Sequence, residues 1–84
     1  MKIEILGTGC AKCHLLEQTA KAAADSLGLA YELTHVTDIR EFAKRGVIFT
    51  PALTVDGRVV VAGRVPSESE VRGILQKAAA EETG

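Results

Sequence analysis

The sequence predicts a single α/β domain in which a four-stranded mixed sheet is flanked by three helices, in the order β-α-β-α-β-β-α. Three observations carry that prediction. A short apolar strand runs through glycines into a helix. An Asp-Gly pair joins two apolar runs. Two Asp/Ser-x-x-Glu starts each precede apolar residues at helical spacing.

Lys2 to Leu6 puts Ile3 and Ile5 on one strand face, and Gly7, Thr8 and Gly9 suit a tight strand-to-helix turn. From Ala11 to Leu27 the composition favours helix, with Cys13, Leu16, Ala20, Ala23 or Ala24, and Leu27 along one face and Gly28 as the stop. Tyr31 to Val36 reads as a second strand, and the intervening helix lets it return parallel to the first. Asp38 with Glu41 forms a capping-box start, Ile39, Phe42 and Ala43 supply an apolar face, and Gly46 ends this short helix. Val47, Ile48 and Phe49 lead to Thr50-Pro51. Ala52 to Val55 and Arg58 to Ala62 flank Asp56-Gly57, the strongest two-residue hairpin signal, which adds an antiparallel pair. Ser67 with Glu70 starts the last helix, on which Val71, Ile74, Leu75 and Ala78 form an amphipathic stripe ending near Ala80. The expected layout is one domain over 1–80 and a polar tail over 81–84.

A chain of 84 residues makes one domain that buries only about 60% of its unfolded surface. With no Trp and three aromatics, aliphatic side chains and alanine must fill its core. Ten basic and eleven acidic residues are interspersed rather than gathered into a stripe, which excludes a nucleic-acid surface. No apolar run approaches the ~20 residues of a membrane span, and MKIEILG lacks a signal-peptide core. A soluble, cytoplasmic monomer is expected, with neither nucleic acid nor membrane as partner.

Both cysteines lie in GTGCAKCH, a stretch compatible with haem attachment, metal capture or thiol exchange. They are no structural staple, because a bridge over so short a loop restrains little of the unfolded chain. Haem attachment needs an exported chain and usually a second axial ligand, yet the only methionine is Met1. Cys10, Cys13, His14 and His35 offer a zinc-like donor set, but His14 adjoins Cys13 and His35 lies beyond a helix, whereas structural zinc brings its second ligand pair close together. Thiol exchange uses the whole site. Cys10 falls at a helix N-terminus, whose free N–H groups and positive dipole end favour a thiolate, and Cys13 falls in the apolar stripe. Cys10 is then the attacking sulfur and Cys13 the resolving one, with Lys12 able to add positive charge. His14 and His35 receive no role.

The element order, Cys-Ala-Lys-Cys after the first strand and Thr50-Pro51 before the third together resemble the thioredoxin fold in its minimal form, over essentially the whole chain. More narrowly, MKIEILGTGCAKCHLLE with TPALTVDGRVVVAGRVPS is similar to the small glutaredoxin-like thioredoxins, or redox-active disulfide proteins. The resemblance implies a thiol–disulfide oxidoreductase that exchanges electrons with protein disulfides through Cys10 and Cys13. It implies a cis Pro51 facing the cysteines and a Thr50 backbone that pairs with an extended substrate, with Thr8, Gly9, Phe49 and Gly63 at the rim. Glu4, six residues before Cys10, matches a buried acid that assists proton transfer; the plainer reading puts it on a wetter strand face. No metal and no cofactor is implied in the chain itself, and a thioredoxin-reductase-like partner would re-reduce it. The motif is neither Cys-Gly-Pro-Cys nor Cys-Pro-Tyr-Cys, and a full glutathione signature is missing, so protein dithiol exchange is favoured over glutathione chemistry.

Two other readings stay open. Small heavy-metal-associated domains are similar in length and carry Cys-x-x-Cys after the first strand, which suggests a thiolate metal carrier. They usually have a methionine where this chain has Thr8, and they close on a strand. The third reading is a redox-sensitive interaction module without catalytic cycling.

Overall fold

A computed structural model describes residues 1–83. Its elements are β1 (Lys2–Leu6), α1 (Ala11–Ser26), β2 (Glu32–Val36), α2 (Ile39–Lys44), β3 (Ala52–Val55), β4 (Arg58–Ala62) and α3 (Glu68–Thr83). The four strands form one mixed sheet in the order β2-β1-β3-β4. β1 runs parallel to β2, and the β1–β3 and β3–β4 pairs are antiparallel.

β1 and β3 are the two inner strands and are covered on both sides. Ile3 and Ile5 face α1 and α3, in a core with Leu16, Ala20, Ala23, Leu53, Val55, Val71 and Leu75. The alternate positions face α2, where Leu6 and Ala52 pack with Phe42 and Val47. The alanines of α1 bring that helix close to the sheet, as a core nearly free of aromatics requires. Each buried Leu or Ile here stabilises the domain by about 1.5–3 kcal/mol relative to exposure.

The local signals act largely as read, with informative differences. Asp38 caps α2 by accepting from the Arg40 N–H at 2.9 Å, but Glu41 does not return the bond and instead pairs with Lys44 and Arg45. Ser67 Oγ accepts from the Glu70 N–H, while the Glu70 carboxylate turns to Arg64. Of the expected apolar face of α2 only Phe42 is buried, and Ile39 stays 69% exposed because a six-residue helix covers little of the sheet. The hairpin turn is made by Asp56 at φ 50° and Gly57 at φ 86°, the left-handed pair that a two-residue loop demands. Glu81 to Thr83, expected as a polar tail, continue α3. Gly84 lies outside the described residues. Among the described residues no helix is long and apolar enough to cross a membrane.

Glu4 is the one charged residue in the buried set, and α2 explains how it is tolerated. Arg45, the C-cap of α2, donates Nε to Glu4 Oε1 at 2.9 Å and Nη2 to Oε2 at 2.8 Å. Thr54 Oγ1 on β3 donates to Oε1 at 3.0 Å. The guanidinium, helped by the Thr54 hydroxyl, outweighs burial and holds the Glu4 carboxyl below its ordinary range. A carboxyl depressed in the fold contributes stability that is full above its unfolded pKa and is lost as pH falls through the folded one. Glu4→Gln is therefore expected to cost about 2 kcal/mol at pH 7. In denaturant titrations repeated at falling pH, the gap between wild type and variant should close below the ordinary carboxylate range; a gap that persists there would rule out the ion pair as its source.

Candidate functional site

The two sulfurs are brought together by the join between β1 and α1. Gly9, at φ +90°, turns the chain where a side chain would be strained, and Cys10 follows as the N-cap of α1 in extended conformation. No side-chain cap satisfies the first N–H groups of the helix, which leaves them aimed at Cys10. One turn on, Cys13 falls on the buried face of α1 and is 1% exposed, whereas Cys10 is exposed. Both are free thiols, with Sγ atoms 3.1 Å apart in hydrogen-bond contact.

This geometry separates the chemistry of the pair. The Cys10 thiol is held below its ordinary pKa, first by the hydrogen bond from Cys13 and then by the Cys13 backbone N–H. Smaller contributions come from the N–H groups of Lys12 and Cys10, against a modest desolvation. Lys12 thus acts through its main chain; its ammonium does not figure among the causes.

Pro51 comes near the buried sulfur beside Gly7, where an added Cβ would lie 2.1 Å from Cys13 Sγ and 4.0 Å from Pro51 Cα. The Thr50–Pro51 bond is cis, Pro51 is buried, and its carbonyl accepts from the Gly63 N–H at 2.8 Å. That bond ties the loop ahead of β3 to the end of β4. Gly63, at φ +79°, lies so close to Phe49 that an added Cβ would sit 3.1 Å from the Phe49 Cβ. Thr50 is exposed, and its main-chain groups have no partner among the described residues. Thr8 and Gly9 are exposed beside Cys10, and Ile48 and Phe49 stand 84% and 68% exposed on the neighbouring loop. The expected rim residues are thus all at the surface near the cysteine end of the sheet.

Glu4 is not among them. Its carboxylate lies beneath α2, on the sheet face opposite α1, and is pinned by Arg45. Proton transfer near neutral pH asks for a raised carboxyl pKa, and the guanidinium drives it the other way. The sequence spacing that suggested the role places the residue on the right strand but cannot show its partner, which comes from 41 positions away. His14 meets His35 ring to ring at 6.0 Å, and His35 Nδ1 lies 3.5 Å from Glu17. Among the described residues no three or more His, Cys, Asp or Glu side chains converge as a metal-binding group. A groove of about 440 Å³ between the β3–β4 hairpin and α3, lined by Val55, Arg58, Val60, Ile74, Lys77 and Ala78, opens at the opposite end of the sheet from the sulfurs.

A four-stranded mixed sheet with three helices in this order, and a dithiol at the start of the first helix, define a minimal thioredoxin fold. The family model for the thioredoxin domain matches residues 1–76. A thioredoxin of Methanothermobacter thermautotrophicus is 40% identical over 75 residues, covering 89% of this chain and 97% of that protein. A thioredoxin of Methanocaldococcus jannaschii is 39% identical over 74 residues, covering 88% and 85%. The chain belongs to the thioredoxin domain family, a family of thiol–disulfide oxidoreductases.

The difference in access between the sulfurs is directly measurable. Brief alkylation of the native reduced protein is expected to modify Cys10 alone, with a pH midpoint below the ~8.5 of an ordinary thiol. Cys13 should react only after unfolding, and equal labelling of both sulfurs in the native state would contradict the assignment.

Proposed function

We propose that this protein reduces protein disulfides through Cys10 and Cys13 by two successive displacements. The observation that carries the reading is the sulfur pair itself: one exposed thiol with a depressed pKa at the N-cap of α1, and one buried thiol 3.1 Å away in its first turn. The Cys10 thiolate attacks one sulfur of a substrate disulfide, forming a mixed disulfide and expelling the other sulfur as a thiolate. Cys13 then attacks the Cys10 sulfur, its proton passing to the expelled thiolate. The second substrate thiolate leaves and takes the proton that Cys10 gave up to solvent. The substrate gains two electrons and two protons, and a Cys10–Cys13 disulfide remains. An external dithiol, supplied by a thioredoxin-reductase-like partner, restores the pair in the reducing cytoplasm.

Substrate recognition is assigned to the loop ahead of β3. The unpaired main chain of Thr50 offers hydrogen bonds to an extended segment, and Pro51, Thr8, Gly9 and Gly63 border the approach to Cys10. Main-chain pairing of this kind is tolerant of side chains, which suits exchange with several partners. A single chain supplies every group, so the monomer suffices. Glu4 takes a structural part under α2.

Substitution separates the two sulfurs. Cys13→Ser incubated with a model protein disulfide should accumulate a covalent mixed disulfide on Cys10, visible by mass. Cys10→Ser should accumulate none, and neither variant should turn over. Trapping by Cys10→Ser as efficient as by Cys13→Ser would overturn the order of attack. Tight binding of copper or zinc by reduced wild type without disulfide turnover would favour a metal carrier instead.

A further inference from the structure

Gly7 directly follows β1, and its backbone does not explain why it is glycine. Its φ is not among the positive values, in contrast to Gly9 two residues later. What is unusual is the space beside it. A Cβ built on Gly7 would lie 2.1 Å from Cys13 Sγ, 3.3 Å from Cys13 Cβ and 4.0 Å from Pro51 Cα. At Gly9, Gly28, Gly46, Gly57 and Gly73 an added Cβ would meet nothing within 4 Å. The N–H of Gly7 donates to Val36 O at 3.0 Å, extending the β1–β2 ladder and fixing this backbone in place.

We propose that Gly7 is a positioning residue for the dithiol: its absent side chain is the seat in which Cys13 Sγ rests, and the seat holds that sulfur within reach of Cys10. Any side chain at position 7 occupies the place of the sulfur. The Cys13 Cβ is only tightly approached and the Gly7 backbone is held by β2, so the cheapest relief is rotation of Cys13 about χ1. Rotation carries Sγ out of its 3.1 Å contact with Cys10.

Two consequences follow from the lost contact. Cys10 loses a hydrogen-bond donor and becomes a more ordinary thiol. The sulfur that must attack the Cys10 mixed disulfide is also displaced from its line of approach, where an error of ~1 Å can cost about 100-fold in rate. The second consequence rests on the proposed exchange reaction; the first does not.

The test is a double-mutant cycle on the pH profile of Cys10 alkylation, using wild type, Gly7→Ala, Cys13→Ala and the double variant. Gly7→Ala and Cys13→Ala should each move the midpoint to higher pH, and the double variant should match Cys13→Ala. An unchanged midpoint in Gly7→Ala, or shifts that add in full, overturns the seat. If Gly7→Ala fails to fold, adding Cys13→Ala removes the obstructing atom and should restore folding; a double variant that stays unfolded overturns it equally. In single-turnover reduction of a protein disulfide, Gly7→Ala should form the mixed disulfide but resolve it about 100-fold more slowly. A shifted alkylation midpoint with no exchange by wild type would leave the seat standing and reject the exchange reaction.

Discussion

Main-chain hydrogen bonds hold β1 between a parallel neighbour, β2, and an antiparallel one, β3, and both faces of the strand are buried. With Ile3 and Ile5 committed to the α1–α3 side and Leu6 to the α2 side, β1 has one register in which its apolar residues stay out of water. The strand end, the glycine turn and the start of α1 are therefore fixed in space. Two sulfurs three residues apart on a helix would otherwise be a common surface motif.

Burial then makes two identical thiols different. Cys13 belongs to the helix face that packs on the sheet, and Cys10 is the N-cap of the same helix, where the first N–H groups are turned to its sulfur. The low-lying pKa of Cys10 comes from hydrogen bonds donated by its neighbours on the same turn, with no cationic side chain among its causes. The largest of these comes from the Cys13 thiol and the next from the Cys13 backbone N–H, so the buried sulfur and the helix start act on Cys10 together.

The opposite face of the sheet supports the site indirectly. Arg45 ties the end of α2 to Glu4 on β1, while Phe42 and Val47 pack on Leu6 and Ala52. Val47 opens the loop that continues through Phe49 and Thr50 to Pro51, and the Gly63–Pro51 hydrogen bond fastens its far end. An ion pair remote from the sulfurs thus helps set where the loop beside them lies. Its two members are 41 residues apart in sequence, and no local pattern links them.

Local signals were legible because they depend on a few neighbouring residues. The Asp56-Gly57 turn, the Asp38 and Ser67 caps and the periodic stripes of α1 and α3 need only short-range geometry and the preference of apolar faces for burial. The split between an exposed Cys10 and a buried Cys13 followed from helical periodicity. The box partners Glu41 and Glu70 were misread because long-side-chain cations, Arg45 and Arg64, compete for the same carboxylates once the chain is folded. Gly7 was read as a turn residue, since in sequence a glycine that frees φ and a glycine that makes room are the same letter. By itself the sequence determined the elements, their order and which sulfur faces water. Only the tertiary structure decided that Glu4 is an ion-paired strut and that Cys13 rests against a bare backbone, because both depend on which distant atoms the packed sheet brings into contact.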